Sequence, residues 1–126
     1  MARRILIVDD NATNLKLAAS VLENGGFTVD QAADAEQAMS RLERVVPDLI
    51  LMDIALPGMS GLALTRVLKS DARLKCVPIV ALTASAMKGD DSKAFEAGCD
   101  GYISKPIDTR KFTEQILAFL AAERSQ

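Results

Sequence analysis

Five times along the chain, a short apolar run gives way to a segment whose apolar residues recur every three or four positions. The first pattern predicts a buried strand and the second an amphipathic helix. Strands that alternate with helices favour a parallel sheet with helices on both faces, because each crossover is right-handed and must cover the sheet. The predicted strands are residues 4–8, 27–31, 48–53, 78–83 and 101–104, and the predicted helices are residues 13–24, 35–45, 61–70, 87–97 and 108–122.

The composition of the strands predicts their order in the sheet. Strands one, three and four are nearly continuous apolar runs, whereas strand two (FTVDQ) alternates and strand five (GYIS) carries polar side chains. Continuous apolar strands are typical of the centre of a parallel sheet, so strands two and five should lie at its edges. We therefore predict an α/β, flavodoxin-like (βα)5 fold, a doubly wound parallel sheet of strand order 2-1-3-4-5. No linker or repeat interrupts the units, so we expect one domain over residues 1–126.

Each helix has an apolar face that we expect to pack on the sheet. Helix one should stop at Gly25-Gly26, because glycine readily adopts the left-handed conformation that ends helices. The predicted inward residues are Leu15, Ala18, Ala19 and Leu22 in helix one; Ala38, Met39 and Leu42 in helix two; Leu64, Val67 and Leu68 in helix three; and Phe112, Ile116, Phe119 and Leu120 in helix five.

Charge, apolar run length and cysteine content exclude several classes of function. Fifteen Lys and Arg against 17 Asp and Glu give a net charge of -2, too balanced to indicate binding to nucleic acid or to a membrane surface. The apolar runs are strand-sized and the start, MARRILIVDD, is no signal peptide, so we expect a cytoplasmic chain. Cys76 and Cys99 lack CxxC spacing and the chain has no His. We therefore expect two reduced thiols.

Acidic residues follow two central strands of the predicted sheet. Asp9 and Asp10 follow strand one and Asp53 ends strand three, and the carboxyl ends of these strands meet at the crevice where the winding of the sheet reverses. Any one of these acids could simply cap the next helix. Three carboxylates in one crevice would repel one another unless a cation neutralised them. Mg²⁺ prefers oxygen ligands and keeps exchangeable waters, so the pattern predicts a magnesium site for phosphoryl chemistry.

The other strand ends agree with that prediction. Thr83 closes strand four with a hydroxyl group, and Lys105 follows strand five with an ammonium group, at the same edge of the sheet. The four strand ends lie in ILIVDDN, DLILMDIALPGMSG, PIVALTA and YISKP. With these four segments in this order, essentially the whole chain resembles the receiver domain of bacterial two-component response regulators.

This resemblance implies how the acids divide their roles. Asp53 would be the phosphoacceptor, the residue that carries the phosphoryl group. Asp9 and Asp10 would hold Mg²⁺ directly or through water, with Asp53 and the backbone carbonyl of Ala55 as further ligands.

It also implies how phosphorylation is sensed. Thr83 and Lys105 would contact the phosphoryl oxygens, and Lys105-Pro106, whose bond is usually cis in this family, would form a fixed turn that aims the ammonium group into the site. Tyr102 stands where the family places its switch aromatic. Thr83 would swing toward the phosphoryl group and Tyr102 would turn inward behind it; the alternative is a tyrosine that only packs at the edge of the sheet.

The same resemblance implies partners. The chain has no His, so the phosphoryl donor must be a sensor histidine kinase or a histidine phosphotransfer protein, and the chain would be a signalling switch rather than a turnover enzyme. Its output face would be helix four, strand five and helix five, around Lys88, Ser104 and Lys111, read by a target protein or by a second copy in a phosphorylation-linked dimer. Leu15 and Ile107 would offer the donor an apolar docking patch, unless Leu15 belongs to the core.

Rival interpretations each lack a feature that they require. A flavodoxin needs a Ser/Thr/Gly-rich phosphate loop where this chain has DDNATN, and nucleotide hydrolysis needs GxxxxGK[ST]. An aspartate-based phosphatase would carry a second Asp where Ala55 lies, and a pseudo-receiver would lack an acid, the Thr or the Lys. Within the family, a stand-alone, DivK-like regulator and a receiver excised from a hybrid sensor kinase both remain open. We expect the stand-alone form, because the chain begins with Met1 and ends with the polar ERSQ.

Overall fold

Five strands alternate with five helices in the structure, a computed structural model that describes residues 3–56, 58–83, 90–105 and 107–124. The elements are β1 (Arg4–Val8), α1 (Ala12–Asn24), β2 (Thr28–Ala32), α2 (Ala35–Arg44), β3 (Leu49–Asp53), α3 (Gly61–Lys69), β4 (Ile79–Thr83), α4 (Asp90–Ala97), β5 (Gly101–Ser104) and α5 (Phe112–Arg124).

All neighbouring strands run parallel, in the order β2-β1-β3-β4-β5. This confirms the predicted flavodoxin-like, doubly wound sheet. Every residue of β3 and β4 is buried, whereas β2 exposes Thr28 and Gln31 and β5 exposes every second residue. The central strands are covered on both faces, which explains why their sequences are continuously apolar.

The alternation of side chains along the strands builds two separate cores. Leu6, Val8, Ile50 and Met52 point to one face and join a cluster with α2, α3 and α4. Ile5, Ile7, Leu49 and Leu51 point to the other face and join a cluster with α1 and α5. The helices contribute nearly or fully buried residues to both clusters: Ala38, Leu42, Leu64 and Leu68 on the first face, and Leu15, Leu22, Phe112 and Ile116 on the second.

Side-chain caps fix where three of the helices begin. Asn11, Asp34 and Ser60 each accept a hydrogen bond from the backbone N–H three residues later. Such caps stabilise a helix by about 1 kcal/mol. The predicted stop after α1 is also confirmed, because Gly26 has a φ of 94°, a backbone conformation that residues other than glycine rarely adopt.

Two residues predicted to face inward are exposed instead. Met39 is 42% exposed and Val67 is 41% exposed. The buried stripe of α2 runs through Ala35, Ala38 and Leu42, and Met39 lies at its margin. A helix that lies on a sheet buries only a narrow stripe, so an apolar residue beside that stripe meets solvent.

The predicted start of the last helix is wrong by four residues. Residues 109–111 form a turn, in which the side chain of Asp108 accepts the N–H of Arg110 at 3.0 Å. Aspartate favours such turns because its short side chain binds the backbone two residues on. Of the predicted fourth helix, residues 87–89 lie outside the described residues; it ends at Ala97, as predicted.

None of the described helices is long and apolar enough to cross a membrane. The longest of them, α1 and α5, have 13 residues each, whereas a bilayer requires about 20.

Candidate functional site

The register of the sheet brings the acids of β1 and β3 to the same level. Val8 is the partner of Met52, so Asp9 and Asp53, one residue further along each strand, lie side by side. Together with Asp10 they form a cluster in which one carboxylate oxygen from each residue lies within 4.8 Å of the others. Asp9 and Asp53 are buried and Asp10 is exposed. The three predicted acids therefore do converge.

Backbone N–H groups hold both buried carboxylates in the same way. Asp9 Oδ1 accepts the N–H of Asn11 at 2.9 Å, and Asp53 Oδ1 accepts the N–H of Ala55 at 2.9 Å. In each case the donor lies two residues after the acid, which ties the carboxylate to its own turn. The second oxygen of each carboxylate is thereby directed to other partners.

Lys105 occupies the space between these second oxygens. Its Nζ lies 3.0 Å from Asp9 Oδ2 and 3.1 Å from Asp53 Oδ2. The backbone N–H of Lys105 also donates to the carbonyl of Thr83 at 2.8 Å, which fixes the start of its side chain at the carboxyl end of β4. One ammonium group thus bridges the acids of two strands.

Burial and pairing act in opposite directions on the charged groups of the site. Burial raises the pKa of Asp9, although the N–H of Asn11 and the ammonium group of Lys105 counteract it. Burial alone would lower the pKa of Lys105, but its hydrogen bonds to Asp9 and Asp53 outweigh burial and the pKa is raised. The ammonium form of Lys105 is therefore stabilised, while Asp9 still gains proton affinity from its buried position.

Thr83 lies where the sequence predicts it, at the end of β4 and beside β3. Leu82 is the partner of Asp53, so Thr83 is one residue beyond the acid on the neighbouring strand. Its side chain is buried, at 2% exposure. Thr83, Lys105 and the acids therefore all lie at the carboxyl ends of the strands.

Gly61 is a feature of the site that the sequence analysis missed. A Cβ atom at this position would lie 2.1 Å from the carbonyl oxygen of Asp53 and 2.7 Å from Cα of Ile54. Only glycine lets the first residue of α3 approach the end of β3 so closely. Glycine as the first residue of a predicted helix, where it is a poor helix former, is the signal that could have revealed this contact.

Asn11 was also missed, although it links the site to α1. Its backbone N–H binds Asp9, and its side-chain oxygen accepts the N–H of Asn14 at 3.0 Å. An Asn immediately before an apolar-periodic segment is a recognised helix start signal. Asn11 therefore fixes the first helix and the buried acid in one turn.

The predicted switch and output residues are only partly described. Tyr102 is 38% exposed and its ring meets Phe95 edge-on, with ring centroids 6.0 Å apart. Ser104 and Lys111 are exposed. Pro106 and Lys88 lie outside the described residues.

The predicted docking patch needs one correction. Leu15 is 7% exposed and belongs to the core, so it cannot form an exposed patch. Leu17, 44% exposed on the same helix, lines a cavity of about 220 Å³ with Ile107, Asp9 and Lys105. A shift of two residues turns the side chain from the sheet to solvent, because successive helix residues are 100° apart.

Comparison with known proteins agrees with this arrangement. Residues 5–117 match the response regulator receiver domain family. The chain is a response regulator receiver domain. The match includes four strands in full, β1 from Ile5 onward, and every predicted site residue of the receiver.

Individual relatives of the receiver include response regulators and the receiver domain of a histidine kinase. It is 42% identical to the polar-differentiation response regulator DivK of Brucella ovis, over 95% of this chain and 98% of the relative. Among solved structures, a CheY-like receiver domain protein of Methanospirillum hungatei is 30% identical with a TM-score of 0.89, over 99% and 98% of the two chains. The receiver domain of a histidine kinase of Syntrophus aciditrophicus is also 30% identical, with a TM-score of 0.87 over 96% and 92%. The match to DivK thus covers nearly the full length of that relative.

Proposed function

We propose that this receiver, a single domain over residues 1–126, accepts a phosphoryl group on Asp53 from a phosphohistidine of a sensor histidine kinase or a histidine phosphotransfer protein. The observation that carries the proposal is the ion pair of Lys105 with Asp53, inside a cluster of three carboxylates. Because of this pair, the positive charge of Lys105 already lies beside Asp53 before the negatively charged phosphoryl group is added. In this role the receiver is a switch that is modified and reset, rather than an enzyme that turns over a substrate.

The two oxygens of Asp53 have different surroundings, which assigns their roles. Oδ1 accepts the N–H of Ala55, whereas Oδ2 faces the ammonium group of Lys105. We assign Oδ2 as the nucleophile, because a phosphoryl group formed there places its new oxygens beside Lys105. The Oδ2–P bond forms as the N–P bond of the phosphohistidine breaks, and the imidazole nitrogen keeps that electron pair and takes up a proton.

Lys105 and Thr83 supply donors for the transferred group. Phosphoryl transfer demands positioning and charge stabilisation more than covalent help from the protein. The ammonium group of Lys105 and the hydroxyl group of Thr83 would donate to the equatorial oxygens, at the edge of the sheet where both lie. Lys105 already lies beside Asp53, so its ammonium group is in place at the moment of reaction, whereas the hydroxyl group of Thr83 would move toward the phosphoryl group once it is attached.

The acidic cluster fits Mg²⁺. Asp9, Asp10 and Asp53 offer oxygen ligands within 4.8 Å of one another, and the exposure of Asp10 leaves one side of the cluster open to water and phosphate. We propose that these acids and the carbonyl of Ala55 hold the ion. When bound, Mg²⁺ neutralises charge on the phosphoryl oxygens and on the carboxylates.

The phosphoryl donor would dock beside the site, on the cavity lined by Leu17 and Ile107. Leu17 is exposed and Ile107 is partly buried against the core, so both can offer apolar surface to a helix of the donor. The cavity is also lined by Asp9 and Lys105, which places the docked partner next to the reacting group.

The output of the receiver would be read on α4, β5 and α5. On this view, phosphorylation draws Thr83 toward the phosphoryl group, and Tyr102 leaves its contact with Phe95 and turns inward. The exposed residues Ser104 and Lys111 then belong to a surface that a target protein, or a second copy of the receiver, distinguishes in its two states. The relative DivK is named a polar-differentiation response regulator. We propose that this receiver also acts as a response regulator in the cytoplasm.

Phosphoryl transfer to the intact receiver tests the proposal. The receiver would be incubated with acetyl phosphate, or with a phosphorylated histidine phosphotransfer protein, in millimolar Mg²⁺, and analysed by intact-mass spectrometry. We expect one phosphoryl group per chain with Mg²⁺ and almost none with a chelator. Failure of both donors to label the receiver in Mg²⁺ would refute the proposal.

A further inference from the structure

A cavity of about 750 Å³ lies between α2 and the segment after β3, and it shares no lining residue with the acidic cluster. Met39 of α2 and Met59 line it, and both are 42% exposed. Methionine side chains are flexible and polarisable, so they adapt to varied apolar partners. Contiguous exposed apolar patches that polar residues surround are typical of protein contact sites.

The rim of this cavity carries charge of one sign. Asp34, Glu36 and Glu43 line it, and no Lys or Arg does so within the described part of the chain. Among the described residues, none of these three carboxylates forms an ion pair. The basic residues of the same helix, Arg41 and Arg44, line a different cavity. Helix α2 therefore separates its charges, with acids toward the methionines and arginines away from them.

We propose that the surface formed by Asp34, Glu36, Met39, Glu43 and Met59, here named the α2 groove, binds a basic amphipathic helix of a partner protein. The apolar side chains of that helix would pack against the two methionines, and its Lys or Arg residues would face the three carboxylates. The 10 residues of α2 extend about 15 Å, which is enough to lie along roughly three turns of a partner helix. The same carboxylates would repel the phosphates of a nucleic acid.

Binding of a synthetic helical peptide to the intact receiver tests this proposal. The probe carries Leu at helical positions i, i+3, i+4 and i+7 and Lys at the others, and a matched peptide carries Glu in place of Lys. Millimolar Mg²⁺ is included to compete for the acidic cluster at Asp53. With methyl-labelled methionine in the receiver, the Lys peptide should shift the NMR signals of Met39 and Met59 but not that of the buried Met52. The Glu peptide should shift none of them.

Matched variants on the two sides of α2 make the test specific. Glu36→Gln combined with Glu43→Gln should weaken binding of the Lys peptide about tenfold, while Arg44→Gln on the opposite side should leave the affinity unchanged or slightly higher. Equal binding of the two peptides, or an unchanged affinity in the double variant, would overturn the proposal. Self-association of the receiver that the double variant abolishes would assign the groove to a second copy and would overturn it as well.

Discussion

Lys105 and Asp53, which are 52 positions apart in sequence, meet at 3.1 Å between Nζ and Oδ2. The same ammonium nitrogen lies 3.0 Å from Asp9 Oδ2. The side chains of Asp9, Asp53 and Lys105 are 2%, 6% and 20% exposed, so this bridge operates largely out of water. It holds together two strand ends that would otherwise repel each other.

Removal of the ammonium group of Lys105 should therefore destabilise the receiver. Lys105→Met leaves two buried carboxylates close together without their ammonium partner, and we expect the free energy of unfolding to fall by about 2 kcal/mol. Urea denaturation without metal measures this loss, and Lys16→Met, at an exposed position of α1, serves as the control. Addition of Mg²⁺ should restore more stability to Lys105→Met than to the wild type. Equal stability of the two lysine variants without metal would contradict the bridge.

Mg²⁺ should stabilise the folded receiver through the acidic cluster. A ligand that binds only the folded state raises the melting temperature by mass action. We expect millimolar Mg²⁺ to raise it by several degrees in the wild type and by clearly less in Asp10→Asn, which keeps the volume of Asp10 but removes its charge. Calorimetry with and without Mg²⁺ measures the shift, and Asp71→Asn, outside the cluster, should respond like the wild type. No shift in the wild type would exclude the proposed metal site.

Gly61→Ala should impair phosphorylation more than it impairs folding. The new Cβ would meet the backbone of Asp53 and Ile54, so the start of α3 or the end of β3 must move. We expect a loss of about 1–3 kcal/mol in stability and at least a tenfold slower reaction with acetyl phosphate.

Gly58→Ala is the matched control for this effect. Gly58 has a φ of 72°, and a Cβ atom added there would meet no described atom within 4 Å, so alanine strains the loop without displacing the acceptor. Its stability should fall by about 1 kcal/mol while the rate of phosphorylation stays close to that of the wild type. Equal rates in the two variants would show that contact between Gly61 and Asp53 does not position the acceptor.

Tyr102 should report the switch directly. It is the one tyrosine of a chain without tryptophan, so tyrosine fluorescence arises from a single residue. We expect beryllofluoride with Mg²⁺, a mimic of the phosphoryl group, to change the emission of Tyr102 as it leaves Phe95. Thr83→Ala should remove most of that change while still binding the mimic. An unchanged emission in the wild type, with binding verified by thermal shift, would mean that the output face lies elsewhere.

The fold was predictable from the sequence because its strongest signals are local. Strands β1 and β5 begin and end at the predicted residues, and the apolar strands β1, β3 and β4 lie at the centre of the sheet. Boundaries that depend on a single side chain were less certain. Asp108 holds a turn ahead of α5, and no apolar periodicity reveals that turn.

The candidate site was predictable in its residue types but not in its contacts. Acids at the ends of β1 and β3 had to meet, because parallel strands present their carboxyl ends at one edge. The bridge of Lys105 to both acids and the approach of Gly61 to Asp53 depend on distances between elements far apart in sequence. Thr65 illustrates the same limit: it is a buried polar residue whose hydroxyl group donates to the carbonyl of Gly61 at 2.8 Å.

Intact-mass spectrometry of Asp53→Asn shows whether Asp53 is the residue that carries the phosphoryl group. Asparagine keeps the volume of Asp53 but is no nucleophile, so the variant should fold and should carry no phosphoryl group after treatment with acetyl phosphate and Mg²⁺. The wild type and Asp71→Asn, treated in parallel, should each gain one. Labelling of Asp53→Asn to the level of the wild type would place the acceptor at another residue and would contradict the account.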